Sequence, residues 1–242
     1  MNRLQSEVRR LYLPDASDDA SPLIDASGQV RALVMELARP AEWGLLAKAW
    51  LGVQDDLGLP APAIAVSGTD GLQLWFSLSE PVSLSQGAAF LEHLRARYLA
   101  GVAAARVRLY PSEADPQRHA ALVPACQAVT GNWSAFVAPG LAPVFADTPW
   151  LDIPPGTDGQ AELLARLESI KPLAFESALQ RLQPPTPPAS AHRAPPAGPT
   201  VEGGDVDPRR FLQQVLNDEA APLAMRIEAA KALLKHGGYT PM

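Results

Sequence analysis

The sequence predicts an α+β domain built on a split βαβ core. Three observations carry this. Residues 30–38, 72–78 and 105–110 alternate apolar and polar or small side chains, and 63–66 is a short apolar run, the patterns of strands. Apolar stripes of helical period separate 30–38 from 63–66 and 72–78 from 105–110. Asp70-Gly71 joins 63–66 to 72–78 as a hairpin, because glycine takes the positive φ that tight turns between strands require.

Taken in order, residues 1–13 read as a short amphipathic element on Leu4, Val8 and Leu11, and 15–27 as a polar, acidic loop. The strand at 30–38 sets Leu33, Met35 and Leu37 on one face and Ala32, Val34, Glu36 and Ala38 on the other. Pro40 opens the next helix at its first position, where proline is tolerated, and Gly58 with Pro60 ends it. Its stripe is Trp43, Leu46, Ala47, Trp50 and Leu51, extending to Leu57. In the second hairpin strand Leu72, Leu74, Phe76 and Leu78 point one way, and Gln73, Trp75 and Ser77 the other. Ser83 and Ser85 cap a helix through Leu99, with Phe90, Leu91, Leu94 and Tyr98 on its buried stripe. Residues 105–110 form a short strand ended by Pro111. This is the order of RRM and ferredoxin-like domains, in which both helices cover one sheet face and the other stays open. Short strands at 120–123 and 133–137, an irregular stretch at 139–155, a helix at 161–170 and another through Leu182 extend the domain.

Residues 1–182 are thus the folded domain. Residues 183–204 hold Pro-Pro-Thr-Pro-Pro, Pro-Pro and Gly-Gly and read as a proline-rich linker, the alternative being a proline-rich ligand for a partner domain. Residues 205–242 are a helical docking segment. It has one helix at 207–217, capped by Asp207 with Pro208 first, and another at 222–236 ending at Gly237-Gly238. Two such helices bury too little to stand alone, so they dock on the main domain, a second copy or a protein partner.

The chain of 242 residues carries a net charge of −6. Residues 1–180 hold 13 Lys+Arg against 20 Asp+Glu, and the remainder 7 against 6. An acidic domain argues against broad non-specific nucleic-acid binding and leaves room for a local basic patch. Cys126 stands alone, so no disulfide framework forms, and it reads as a small buried hydrophobe. The first residues lack a signal-peptide core and no apolar run approaches a membrane span. The expectation is a cytoplasmic protein without a membrane partner.

On the sheet face away from the helices stand Glu36, Gln73, Trp75, Arg106 and Arg108. If open, this face is a binding platform: Trp75 stacks on bases and the arginines pair with phosphates. If later strands or the helix at 161–170 cover it, the arginines pair with Glu36 or Asp70 instead. Metal-dependent phosphoryl transfer needs two or more carboxylates on a strand. Glu36 stands between apolar Val34 and Ala38, a weak metal candidate and a better salt-bridge partner. His93, His119, His192 and His236 have no ligand spacing and read as surface residues. Residues 67–71 are not a nucleophile elbow, and no glycine loop with a lysine cradles phosphate. No complete catalytic constellation and no cofactor follow.

Ser67-Gly-Thr-Asp-Gly-Leu-Gln-Leu-Trp-Phe-Ser-Leu-Ser-Glu-Pro81 resembles the second motif of the archaeo-eukaryotic primase superfamily. There a Ser-Gly-x-x-Gly-Leu-His-Leu-aromatic hairpin carries a histidine that contacts the incoming nucleotide. Residues 30–38 lie where that family places a strand with an Asp-x-Asp metal pair, and Arg106-Val-Arg-Leu-Tyr-Pro111 is similar to the neighbourhood of its third motif. The resemblance implies a nucleotide or nucleic-acid surface at Ser67, Gln73, Trp75, Arg106 and Arg108. It implies lost chemistry too: Gln73 replaces the histidine, Val34 and Glu36 replace the metal pair, and no aspartate stands in or just before the third strand.

The expected function is therefore a non-catalytic primase-like binding protein in a DNA-related or mobile-element context, bacterial or phage-related. It would bind nucleic acid, nucleotide or a replication partner. The alternative is a protein-interaction scaffold whose C-terminal helices dock a partner, without a nucleic-acid role. An enzyme with single-metal chemistry at Glu36 is a third reading. Residues 211–218 and 226–234 also resemble segments of phage-type small terminases.

Overall fold

The computed structural model describes residues 2–14, 17–18, 21–112, 114–115 and 118–183, and further on 212–213, 216–217, 226–227, 230–231 and 233. The chain divides into two units, Met1–Thr186 and Pro187–Met242. In the first, the strands are β1 (Ser17–Asp18), β2 (Ser21–Asp25), β3 (Gln29–Ala38), β4 (Ala63–Val66), β5 (Gly71–Ser83), β6 (Val107–Tyr110) and β7 (Ala135–Val137). The helices are α1 (Arg3–Tyr12), α2 (Trp43–Asp55), α3 (Leu84–Tyr98), α4 (Thr157–Ala165) and α5 (Pro172–Leu182).

All ladders of the sheet are antiparallel. Across its centre the order is β6-β3-β5-β4-β7, with β2 and β1 continuing beside the first half of β3. For β3, β4, β5 and β6 this is the order of a split βαβ domain, so the α+β core is as the alternation predicts.

One face carries Leu33, Met35, Leu37, Leu72, Leu74 and Phe76 onto Leu46 and Val53 of α2 and Phe90, Leu91 and Leu94 of α3. Each such side chain contributes about 1.5–3 kcal/mol when fully buried. Ser83 caps α3 in a capping box with Gln86. At Gly52 the two helices meet closely: a Cβ there would run into the Tyr98 ring. The Tyr98 hydroxyl donates to the Gly52 carbonyl and to Asp56, and burial, with Asp56 adding, pushes its pKa up to about 12.

The opposite face is covered, the second of the two alternatives the sequence left open, and the helix expected at 161–170 is among the elements that cover it. A second core gathers Leu4, Leu11 and Tyr12 of α1, Ala161 and Leu164 of α4, and Ala120 and Val123 over Ala32, Val34, Ala63, Ala65 and Trp75. The physical reason is that those five sheet residues make an apolar surface that water disfavours, and four of them are small enough for helices to lie close. Tyr12 meets Trp75 edge-on at 5.2 Å and stacks on Phe136 at 6.0 Å between ring centroids. Two arginines tie the layer down. Arg31 donates to the carbonyls of Leu13, Arg10 and Leu78, and Arg10 to those of Leu164 and Leu167.

At the β7 edge the Gln160 side chain stands in for a further strand. Its Oε1 accepts from the Phe136 N–H at 2.7 Å, and its Nε2 donates to the Phe136 carbonyl at 2.8 Å. An edge matched in this way is closed to pairing with another chain at that residue.

Other expectations shift. Part of the acidic loop at 15–27 is the β1–β2 pair. Pro40 precedes α2, whose N-cap is Glu42. Residues 120–123 form no strand; the local pairing is a bridge between Cys126 and Trp133. The helix expected at 161–170 is α4, which begins at Thr157 and stops at Ala165. Cys126 is exposed rather than buried. His93 is half-buried with its Nδ1 enclosed, because its helix packs into the core on both sides of it. Among the described residues no helix is long and apolar enough to cross a membrane.

In the second unit, the described residues Leu212, Gln213, Leu216, Asn217, Arg226, Ile227, Ala230, Lys231 and Leu233 are helical. Arg226 Nε donates to the Leu216 carbonyl at 3.1 Å. Apart from Gln183 the expected linker lies outside the described residues, as do Asp207, Pro208, Pro222, His192 and His236.

Candidate functional site

Strand register explains how the site is put together. Glu36 of β3 is opposite Gln73 of β5 on one side and Arg108 of β6 on the other. These three side chains therefore form one transverse row on the covered side of the sheet. The next row inward is Tyr110, Val34 and Trp75, which continues to Ala63 of β4. The inner row lies under the second core and the polar row lies at its rim.

Glu36 is almost wholly buried, at 3% exposure, yet both carboxylate oxygens are satisfied. Oε1 accepts from Arg108 Nη1 at 2.5 Å, and Oε2 from Gln73 Nε2 at 2.9 Å. The Gln73 carbonyl in turn accepts from Trp75 Nε1 at 2.8 Å. The indole thus fixes the amide and the amide fixes the carboxylate. Trp75 is 1% exposed beneath Tyr12 and beside Phe136, so it serves this relay and presents no ring to a base in this arrangement.

Arg108 reaches outward as well. Its Nη1 and Nη2 donate to Asp70 Oδ1 and Oδ2 at 2.8 and 2.9 Å, a bidentate pair at the hairpin tip. Asp70 also accepts from Arg39 Nε at 2.6 Å. The Arg108 guanidinium, with Arg39 assisting, holds the Asp70 carboxyl well below the usual carboxylate range, and Asp70 holds Arg108 above the usual arginine value. Arg39 sits at φ 54°, a left-handed conformation uncommon for a residue with a side chain. Its side chain is 77% exposed, and its terminal nitrogens have no partner among the described residues.

Two glycines make the turn and the row compatible. Gly68 takes the positive φ, 78°, and a Cβ on it would strike the Ser134 amide at 2.8 Å. Gly71 does not; it is glycine for room, because a Cβ would lie 2.7 Å from both Cγ and Oε1 of Glu36. Ser67 organises the turn: its hydroxyl accepts from the amides of Thr69, Asp70 and Gly71. Arg106 stands apart from the row, donating to the carbonyls of Ala38 and Pro40, with Glu42 3.7 Å away. Farther along, the Arg118 guanidinium lies over the Tyr110 ring at 5.7 Å, and burial followed by the charge of Glu36 raises the Tyr110 hydroxyl above its ordinary value.

Of the sequence-predicted residues, Gln73, Trp75, Arg108 and Glu36 come together, Ser67 lies in the adjoining turn, and Arg106 binds backbone beside them. Sequence reasoning did not assign Arg39, Gly71, Tyr110 and Arg118 to the site. An arginine directly after the strand that carries Glu36 was the one signal for Arg39.

Solved structures include one to which this chain is similar, a polymerase domain from Mycobacterium tuberculosis ligase D in complex with DNA. Identity is 19% and the TM-score 0.27, over 64% of this chain and 52% of that one. The chain spans about half the length of that structure. No protein-family model and no curated protein matches the chain.

The metal pair implied by the primase resemblance does not fit these residues. Val34 is apolar and fully buried, and both oxygens of Glu36 face nitrogen donors. Among the described residues no three His, Cys, Asp or Glu side chains gather where an ion could sit.

Proposed function

We propose that this chain is a non-catalytic, primase-like binding protein of a DNA-related context, and that it engages nucleic-acid phosphate at the rim of the sheet rather than across its face. The observation that carries this reading is the arginine ribbon on an otherwise acidic domain. Arg39 pairs with Asp70 beside Arg108, Arg118 lies over the Tyr110 ring two residues farther along β6, and Arg39 turns nitrogens without a partner among the described residues to solvent from a conformation that costs energy to hold. Exposed guanidinium groups that are not saturated by carboxylates are suited to phosphodiester oxygens. Loss of catalysis follows from Glu36 being neutralised by Arg108 and from Gln73 acting as a hydrogen-bond relay. In this reading Ser67, Gln73 and Trp75 shape the rim and do not themselves touch the ligand.

Fluorescence anisotropy with labelled single-stranded and primed DNA at low salt tests it. The wild type should bind with an affinity that falls as salt rises. The Arg39→Ala/Arg118→Ala variant should bind more weakly and with a shallower slope, by ~0.7 for each phosphate of a single strand that is no longer neutralised. No binding, or binding that the double variant leaves unchanged, refutes the rim.

A second reading is favoured by the large apolar side chains left exposed on the segment after β7: Leu141 at 56%, Val144 at 71% and Ile153 at 72%. It makes the domain a scaffold for a protein partner, with residues 205–242 as a helical docking segment behind a proline-rich tether. In that case Val144→Asp weakens partner capture and leaves DNA anisotropy unchanged.

A further inference from the structure

We infer that the Arg108 guanidinium is a built-in cation that closes the Glu36–Asp70 carboxylate pair to divalent metal ions. One nitrogen, Nη1, touches both carboxylates at once, Glu36 Oε1 at 2.5 Å and Asp70 Oδ1 at 2.8 Å. A bridging metal would have to occupy that same position, because magnesium and calcium need oxygens at about 2.0–2.6 Å.

Three features keep the guanidinium there. Strand register sets Arg108 directly opposite Glu36. Its second nitrogen holds Asp70 Oδ2 at 2.9 Å, so a swing away breaks a bidentate pair as well. Glu36 is itself immobilised from the interior by the Gln73 amide, which Trp75 orients. The charges also balance. Two carboxylates, Glu36 and Asp70, face two guanidiniums, Arg108 and Arg39, so no net negative potential draws in a dication. Finally, Val34, the nearest inward neighbour on the same side of β3, supplies no oxygen. Resting on the reading above, any phosphate taken at this rim is taken without a metal bridge.

Manganese serves as the probe, read by loss of the free-ion electron paramagnetic resonance signal and by the melting temperature of the full chain. The wild type should bind no manganese through Glu36 at millimolar concentration, and its melting temperature should be the same in manganese and in EDTA. Wild-type uptake that Glu36→Gln abolishes overturns the inference. Uptake that Glu36→Gln and Asp70→Asn both leave intact lies elsewhere on the chain and supports it. Arg108→Ala leaves the two carboxylates without the cation between them, Arg39 remaining on the outer side of Asp70. It should melt lower and regain several degrees in manganese, an effect lost in Arg108→Ala/Glu36→Gln. A folded Arg108→Ala that manganese leaves unchanged overturns the inference. If that variant does not fold, Arg108→Gln, which keeps bulk and donors but not charge, is read in the same way. DNA anisotropy in EDTA and in magnesium separates the two proposals. Equal affinities support both, whereas absence of DNA binding removes the ligand reading and leaves the manganese result to decide this one.

Discussion

Gly71→Ala isolates the close approach on which the polar row depends. Gly71 is not in the left-handed region, so alanine costs nothing in backbone conformation there, and a strand position ordinarily gains about 0.5 kcal/mol from the change. The added methyl would nevertheless fall 2.7 Å from Cγ and Oε1 of Glu36, and the carboxylate must move. Moving it breaks the 2.5 Å hydrogen bond with Arg108 and the 2.9 Å one with Gln73. Hydrogen bonds to charged groups contribute about 1.5–3 kcal/mol each, so a net loss near 3 kcal/mol is expected after partial relaxation. For a domain of this size that lowers the melting temperature by about 6–12 °C. Calorimetry on Gly71→Ala, Glu36→Ala and the double variant closes a cycle. In the Glu36→Ala background the clashing atoms are gone, so Gly71→Ala should be neutral or slightly stabilising. An equal loss in both backgrounds would refute the reasoning.

Three further substitutions test other parts of the fold. Gln160→Leu leaves the Phe136 N–H and carbonyl unpaired at a buried edge, at a cost of about 2–4 kcal/mol, and light scattering on heating should rise earlier; an unchanged profile counts against the edge role. The Tyr12 hydroxyl is buried with no hydrogen-bond partner among the described residues, so Tyr12→Phe should raise stability by about 1 kcal/mol in urea titration, and a loss would mean the hydroxyl does have a partner. Asp70 has a folded-state pKa depressed chiefly by Arg108, so its contribution is present above the unfolded value of about 3.9 and is lost as pH falls through the lower folded value. Asp70→Asn should therefore unfold at lower urea than wild type at neutral pH, with the gap closing below about pH 4; a gap constant in pH contradicts the assignment.

Much of the core was legible in the sequence because it depends on local periodicity. Leu33, Met35 and Leu37 alternate, and so do Leu72, Leu74 and Phe76; both sets pack where alternation places them. The far face was legible only as two alternatives, open or covered, for the same reason. Ala32, Val34 and Ala63 are compatible with either a solvated or a covered surface, and what covers them arrives from α1 and α4, far away in sequence. The motif residues Gln73 and Arg108 were recognisable, and Glu36 and Asp70 were named as partners for the arginines, but the arrangement that joins them was not legible. Only register places Glu36 between them, and only the turn geometry brings Asp70 to the outer side of Arg108. Gly71 shows the limit most plainly. Its neighbour Asp70 made it look like a turn glycine, whereas it is a spacing residue set by a carboxylate from another strand.

The clasp between the chain's first helix and α4 has a consequence for synthesis on the ribosome. Arg10 donates to the carbonyls of Leu164 and Leu167, so bonds made by the earliest residues wait for residues more than 150 positions later. Loops of that length close slowly and late. The portion from β3 to β6 can therefore assemble while Trp75 and its alanine neighbours still face water, and for that interval the nascent protein displays an apolar surface that the finished one conceals. A chaperone that recognises such surfaces would have its opportunity then, and would lose it when α4 docks.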